Sequence, residues 1–217
     1  MVDAATAALG EAFLAQAPLT GAAFTMGASD VARETVWASD PVARAIAEVQ
    51  YSLGEGPATT AVAAHRPVLV NDVSAPDQMQ RWPIFAQQIS ELPVRALFAF
   101  PLHVGAATIG VCDCYRSQPG PPSRSDLRML LLGLDRVTVT LLTRTADAIR
   151  GDALPGDTHL NRAVVHQATG MLAVQLQVSI PVAFARLRAH AYSRGEDLER
   201  VSRGIVSNRQ VLDPEPP

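Results

Sequence analysis

The chain has 217 residues, of which 48% are hydrophobic and 18% charged, with a formal net charge of −3. That length accommodates one large domain or two small ones, each with a hydrophobic core, and the composition is that of a globular chain rather than a disordered one. It excludes a strong whole-protein pull toward polyanions, and no apolar run approaches the roughly 20 residues of a membrane span.

The longest apolar run, around residues 127–142, is broken by Arg128, Asp135 and Arg136. The N-terminus offers Asp3 and Glu11 instead of a basic region, so no signal peptide is expected and the cytoplasm is the expected compartment. Cys112 and Cys114 are the only cysteines, too few and too close for a disulfide scaffold, and no second pair completes a zinc site. No metal is expected, and no cofactor is required by the sequence. Charge is uneven. Residues 157–212 hold seven arginines against four acidic residues, while the remainder holds eleven basic against seventeen acidic residues. A basic C-terminal part is a mild pointer to a polyanionic partner there.

In chain order, Leu9, Phe13 and Leu14 are spaced for one face of a helix over 4–17. Residues 21–26 and 34–39 are short enough for two hairpin strands, the second rich in strand formers at Thr35, Val36 and Trp37. Asp40-Pro41 predicts an N-cap with proline in the first turn of a helix running to about Tyr51. Ser52 to Pro57 reads SLGEGP, a forced loop. It could present backbone N–H groups to an anion, but it lacks the Lys and Ser/Thr of a triphosphate-binding loop. A helix is predicted over 58–65, a strand over 67–70, and another helix opened by Arg81-Trp82-Pro83 and running to about Glu91. Residues 94–104 and 107–116 flank Gly105-Ala106 as a β-hairpin, with Ile109, Val111, Asp113 and Tyr115 on one face and Gly110, Cys112 and Cys114 on the other. After Pro119–Pro122, Ser123 and Asp126 form a capping box for a long helix to about 150. Its stripe of Leu127, Leu130, Leu131, Leu134, Val137, Leu141 and Leu142 is wide enough for the sheet and for a second copy of itself. Residues 151–156, GDALPG, are the one clear boundary candidate.

Residues 4–148 resemble a GAF domain, on Leu53-Gly54-Glu55-Gly56-Pro57, Arg81-Trp82-Pro83, Pro101-Leu102, Ile109-Gly110-Val111 and Tyr115. Residues 157–212 resemble an ANTAR domain, on Gln167-Ala168, Gly170-Met171-Leu172, Ala183, Leu187-Arg188, Ala191 and Leu198. The order of the two is similar to that of a class of actinobacterial regulators. The resemblance implies an α+β chain: a GAF-like antiparallel sheet with flanking helices, a long connecting helix and a three-helix C-terminal bundle. The periodicity agrees. Leu160, Val164, Ala168, Met171 and Leu172 mark one face of a first C-terminal helix. Ser179 and Pro181 open a second, lined by Ala183, Leu187 and Ala191 and ended by Gly195, and Leu198, Val201 and Ile205 line a third. The small residues Ala168, Gly170, Ala183 and Ala191 are expected to let these helices approach closely.

The resemblance implies binding of RNA stem-loops and a role in transcription antitermination, which physically needs phosphate neutralisation and contacts to loop bases. The candidate RNA-binding residues are Arg162 and His166 on the first helix, Arg186, Arg188, His190 and Arg194 on the second, and Arg200 and Arg203 on the third. Tyr192 has two readings, a ring stacking on a splayed base or a partly buried core aromatic. Many ANTAR domains carry a basic residue between Ala168 and Gly170; Thr169 stands there, and one phosphate contact is expected to be missing. A homodimer joined by the long helix is expected to engage two stem-loops together, with avidity offsetting a weak single site. The GAF resemblance implies a small-molecule pocket between the sheet and its helices, with Trp82, Phe100, His103 and Asp113 as candidates for its lining. Two alternatives stay open: a thiol enzyme of the free methionine sulfoxide reductase type using Cys112 and Cys114, and an interaction module whose C-terminal part only dimerises.

Overall fold

The computed structural model describes residues 4–27, 29–150 and 158–207. The expected boundary at 151–156, the Leu160 side chain and residues 208–212 lie outside the described residues. The elements run α1 (Ala4–Leu14), β1 (Gly21–Met26), β2 (Glu34–Ala38), α2 (Pro41–Leu53), α3 (Pro57–Ala64), β3 (Val68–Val70), α4 (Pro76–Arg81), α5 (Pro83–Ile89), β4 (Ala96–Val104), β5 (Ala107–Arg116), α6 (Arg124–Arg150), α7 (Thr158–Leu176), α8 (Ile180–Ser193) and α9 (Leu198–Val206). The five strands form one antiparallel sheet in the order β2-β1-β5-β4-β3.

Both faces of the sheet are covered, which is why β1 and most of β4 are buried residue after residue instead of alternating. Val111 and Tyr115 of β5 join Leu97, Ala99 and Ile46 in the core under α2, α3 and α5. Cys112 and Cys114 point the other way, into a second core with Phe13, Phe24, Phe98, Leu130 and Val137 under α1 and α6. From Val111 to Tyr115 the alternation read from the hairpin sequence is therefore the division between the two cores, whereas Ile109, expected on the Val111 face, packs against the second core.

The loop 52–57 is structural. Gly54 (φ 69°) closes α2 in the left-handed region. Glu55 Oε1 accepts the backbone N–H groups of Ile84 (2.9 Å) and Phe85 (3.0 Å), the first turn of α5, while Gln50 Oε1 accepts that of Ala58 in α3 (2.7 Å). The loop thus supplies an anion, the Glu55 carboxylate, to the N-terminus of α5 instead of binding one. Pro76–Arg81 was not expected to be helical. Trp82 separates α4 from α5, closing one and opening the other, because Pro83 has no N–H to continue the first helix.

Ser123 and Asp126 form the capping box of α6, Asp126 N–H donating to Ser123 Oγ and Ser123 N–H to Asp126 Oδ2, both at 3.1 Å. Leu130, Leu134, Val137 and Leu141 are buried against the sheet and α1, whereas Leu131, Leu132, Val139 and Leu142 face outward. The expected wide stripe thus splits into a buried face and an exposed apolar one. Among the described residues no single helix is long and apolar enough to cross a membrane.

Helix α1 seats on β2 through Gly10. A Cβ built there would lie 2.1 Å from Cε2 of the buried Trp37 ring, which itself stacks on Phe24. Gly10→Ala is expected to push α1 off the sheet and cost about 1–3 kcal/mol, read as a lowered denaturant midpoint.

Candidate functional site

The C-terminal helices pack into a bundle around Val165, Ala168, Leu172, Phe184, Leu187, Ala191, Val201 and Ile205. Helices α7 and α8 are bent by 108° at their junction. Pro181 lies in the first turn of α8; Ser179 sits at its N-cap but makes no side-chain capping bond, and Gly195 (φ 61°) turns the chain after it, with Glu196 N–H returning to Ala191 O at 3.0 Å. Asp197 then caps α9 by accepting from Arg200 N–H. The buried faces of α8 and α9 are those the periodicity predicts. On α7 the face is rotated toward Val165, and Gly170 is no close approach, since a Cβ there meets nothing within 4 Å.

Thr169 stands at the motif position where one phosphate contact is expected to be missing. It is buried in the bundle, and its Oγ1 donates back to Val165 O at 2.7 Å.

The arginines divide into two groups. Arg162 and Arg188 turn toward the sheet domain. Arg162 is buried, with its guanidinium 3.8 Å from the centroid of the Tyr51 ring, Nη2 donating to Glu48 Oε1 at 2.7 Å and Nη1 to Arg33 O. Arg188 lies 3.9 Å over Phe184 and 5.5 Å from Tyr51, and the two rings are themselves 5.5 Å apart. Two cations stacked on desolvated aromatic faces are each worth about 2 kcal/mol. Burial pushes the Tyr51 hydroxyl up to about 12 against the opposing pull of both arginines, so the ring is neutral. Desolvation lowers Arg188 to about 10, leaving it charged at neutral pH. Gly54 leaves room for this side chain, whose Nη1 would sit 2.6 Å from a Cβ at that position.

The second group faces solvent. Arg194 (Nε to Glu196 Oε1, 3.1 Å) and Arg200 (Nε to Glu196 Oε2, 4.0 Å) flank one glutamate at the α8–α9 corner. Arg203 pairs with Glu199 at 2.6 Å, and its side chain is 65% exposed. His190 adjoins this corner. Its pKa is lowered by partial desolvation and by the Arg194 charge, with Glu196 opposing. His166 is exposed on α7 and Arg186 is half-buried on α8. Tyr192 is half exposed and lies outside the bundle core.

The four pocket candidates are not brought together. Trp82 is buried, with Nε1 donating to Thr60 Oγ1 at 3.1 Å. It lines, with Val70, Phe85 and Ile89, a cavity of only about 10 Å³, barely room for one water. Phe100 is in the opposite core and His103 is exposed beside Thr108 Oγ1 at 3.2 Å. Asp113 is buried beside Gln50, with one carboxylate oxygen unpartnered. Space of ligand size occurs elsewhere, as a cleft of about 380 Å³ between α2 and α5 on one side and α8 and α9 on the other.

Sequence reasoning missed Tyr51, Glu48 and Arg33. Tyr51 reads locally as the last apolar residue of an amphipathic helix, and its partners in the bundle, Arg162, Phe184 and Arg188, are more than a hundred positions away.

A covered antiparallel sheet joined by a long helix to a small bundle with an arginine-lined corner defines a two-module chain. Residues 2–134 match the family model of the GAF domain and residues 157–206 that of the ANTAR domain. The chain belongs to the GAF domain family and carries a C-terminal ANTAR domain. Solved structures agree on the fold of the first module. A domain of a two-component sensor histidine kinase protein from Sinorhizobium meliloti 1021 is 18% identical over 70% of this chain and 99% of that one, with a TM-score of 0.52. A GAF domain/HD domain protein from Geobacter sulfurreducens is 13% identical over 67% and 94%, also at 0.52. The GAF domain of a two-component sensor histidine kinase from Bacillus halodurans is 10% identical over 68% and 99%, at 0.50. No curated protein matches the chain.

Burial raises the Asp113 carboxyl from 3.8 to about 6, with Gln50 and the Arg33 charge opposing the shift. The folded state therefore holds this proton more tightly than the unfolded one. The contribution to stability is full below the unfolded value and is lost as pH rises through the folded one. Asp113→Asn is expected to remove that dependence and to gain up to about 3 kcal/mol at neutral pH relative to acid, measured as urea midpoints across the range.

Proposed function

We propose that this protein is a signal-responsive regulator that binds RNA stem-loops through its ANTAR domain and acts in transcription antitermination in the cytoplasm, with the GAF domain as sensor. The observation that carries the reading is the division of the ANTAR arginines. Arg194, Arg200 and Arg203 face solvent with His190 beside Arg194, while Arg162 is held by Tyr51 and Glu48 of the GAF domain and Arg188 lies over Phe184, 5.5 Å from Tyr51 and 3.9 Å from Asp30. Exposed arginines on a compact helical bundle supply phosphate neutralisation, and Tyr192 beside them supplies a ring for an unstacked base. The withheld pair provides a means of control, because any signal that loosens the GAF–ANTAR contact adds two cations to the RNA-facing set.

The outward apolar face of α6, with Leu131, Leu132, Val139 and Leu142, favours a homodimer joined along this helix. Two ANTAR corners then engage two stem-loops, which raises avidity without new contacts.

A regulator rather than a thiol enzyme is favoured by the environment of the cysteines. Cys112 and Cys114 are both fully buried, with Sγ atoms 3.6 Å apart, and burial pushes the Cys112 thiol well above its ordinary value. A nucleophilic thiol needs access and a lowered pKa. Thiol titration of the native protein is expected to find neither cysteine reactive and both reactive after denaturation. Fast native labelling, with sulfoxide reduction abolished by Cys114→Ser, would favour the enzyme.

Gel-shift titration of the intact protein with a tandem stem-loop RNA is expected to give salt-sensitive binding. Arg200→Gln/Arg203→Gln is expected to weaken it roughly tenfold and to reduce the salt slope by about 1–2. Salt-independent binding, or none, counts against the reading.

A further inference from the structure

The cleft between the two modules is a cavity of ligand size. At about 380 Å³ it falls in the range of small-molecule sites, whereas the cavity under the GAF helices, at about 10 Å³, is filled by the protein's own side chains. One wall is Arg188. Its side chain is 11% exposed, its Nε is buried and unpartnered, and its nearest carboxylate oxygen, Asp30 Oδ2, is 3.9 Å away. A guanidinium offers five donors and is costly to desolvate without an acceptor. The aromatic rings around it supply attraction but no lone pair in its plane, so the accessible end of the guanidinium has only the Asp30 oxygen at 3.9 Å, while the buried Nε lies out of reach of the cleft.

The cleft also carries carboxylates from both modules. Glu48 has one oxygen engaged by Arg162, and Asp197 has one engaged by the Arg200 backbone. Val49 and Leu53 add apolar surface, and Tyr192 stands half exposed at the lining. A phosphate chain would meet these carboxylates as well as the arginine, which disfavours a polyanion in this concavity. A ligand with one carboxylate and one ammonium answers both signs.

We propose that this inter-module cleft is a binding site for a small zwitterion of the amino-acid class, with its carboxylate on Arg188, its ammonium toward Glu48 and Asp197, and its side chain against Val49, Leu53 and Tyr192. The ligand touches both the GAF and ANTAR modules, so its occupancy bears directly on the contact between them. This names the ligand class of the sensor and rests on the regulator reading only for the purpose of binding.

Calorimetric titration and thermal-shift measurement of the full chain, without RNA, test the site. The probes are the free proteinogenic amino acids, with acetate and inorganic phosphate as anion-only controls. At least one amino acid is expected to bind saturably with Kd below about 1 mM and to raise Tm. Arg188→Gln is expected to weaken that binding at least about tenfold. Ser52→Trp, which fills the cleft from its lining and keeps every charge, is expected to do the same. An inert panel up to about 10 mM, equal binding of acetate or phosphate, or binding untouched by both substitutions would overturn the proposal. So would an inert panel accompanied by RNA binding that Arg188→Gln abolishes, since the missing acceptor would then be RNA phosphate. Because ligand binding is read without RNA, failure of the RNA-binding function and failure of this site are separate results.

Discussion

The stacking of Arg162 on Tyr51, fixed by the bond to Glu48 Oε1, is the contact on which the arrangement of the two modules depends. It joins the first turns of α7 to the end of α2 across a sequence separation of 114 residues. A stacked guanidinium with a carboxylate partner is directional in a way that apolar contact is not. It selects one orientation of the bundle against the sheet domain. It also takes a cation that the bundle would otherwise present to solvent. Arg188, held between Phe184 and Tyr51 with no close carboxylate, is the weaker half of the same joint.

What lies beneath this joint explains why Tyr51 is where it is. Helix α2 starts at Asp40, whose carboxylate caps the first turn and accepts from Tyr115 of the central strand β5 at 3.1 Å. Gln50, one residue before Tyr51, caps α3, and Glu55 caps α5. The SLGEGP loop is thus the place where three helices are tied to one another, and the tyrosine ring projects from its N-terminal edge toward the bundle. A ligand in the neighbouring cleft would act on this rigid corner, so a small change there is carried by a helix end and not absorbed by a soft loop.

Much of the fold was legible in the sequence because it follows from local chemistry. The Asp40-Pro41 cap, the Ser123–Asp126 capping box, the Gly105-Ala106 hairpin and the alternation of Cys112 and Asp113 across β5 all report on neighbours within a few residues. Helix α4 was missed because Pro76–Arg81 buries none of its residues, so it carries no apolar period to read. The candidate site was legible in kind and only partly in place. Charge and spacing found the arginines, and the structure gathers Arg194 and Arg200 about Glu196 as a corner. Periodicity does not say which face of a helix meets another module, so Arg162 and Arg188 looked the same as Arg200. The pocket candidates were chosen by residue type along the hairpin, and the two-sided sheet sends Phe100 and Asp113 to opposite cores.

On the proposed function, the joint competes with RNA for Arg162 and Arg188. The most direct measurement is the salt dependence of stem-loop affinity for the full chain and for Glu48→Ala/Tyr51→Ala, which opens the joint without touching an ANTAR residue. The variant is expected to bind about tenfold tighter, with a slope steeper by about 1–2 in log K against log salt, as two further cations reach phosphate. An unchanged affinity and slope, or weaker binding by a variant that remains folded, would contradict the claim that the GAF domain withholds Arg162 and Arg188 from RNA.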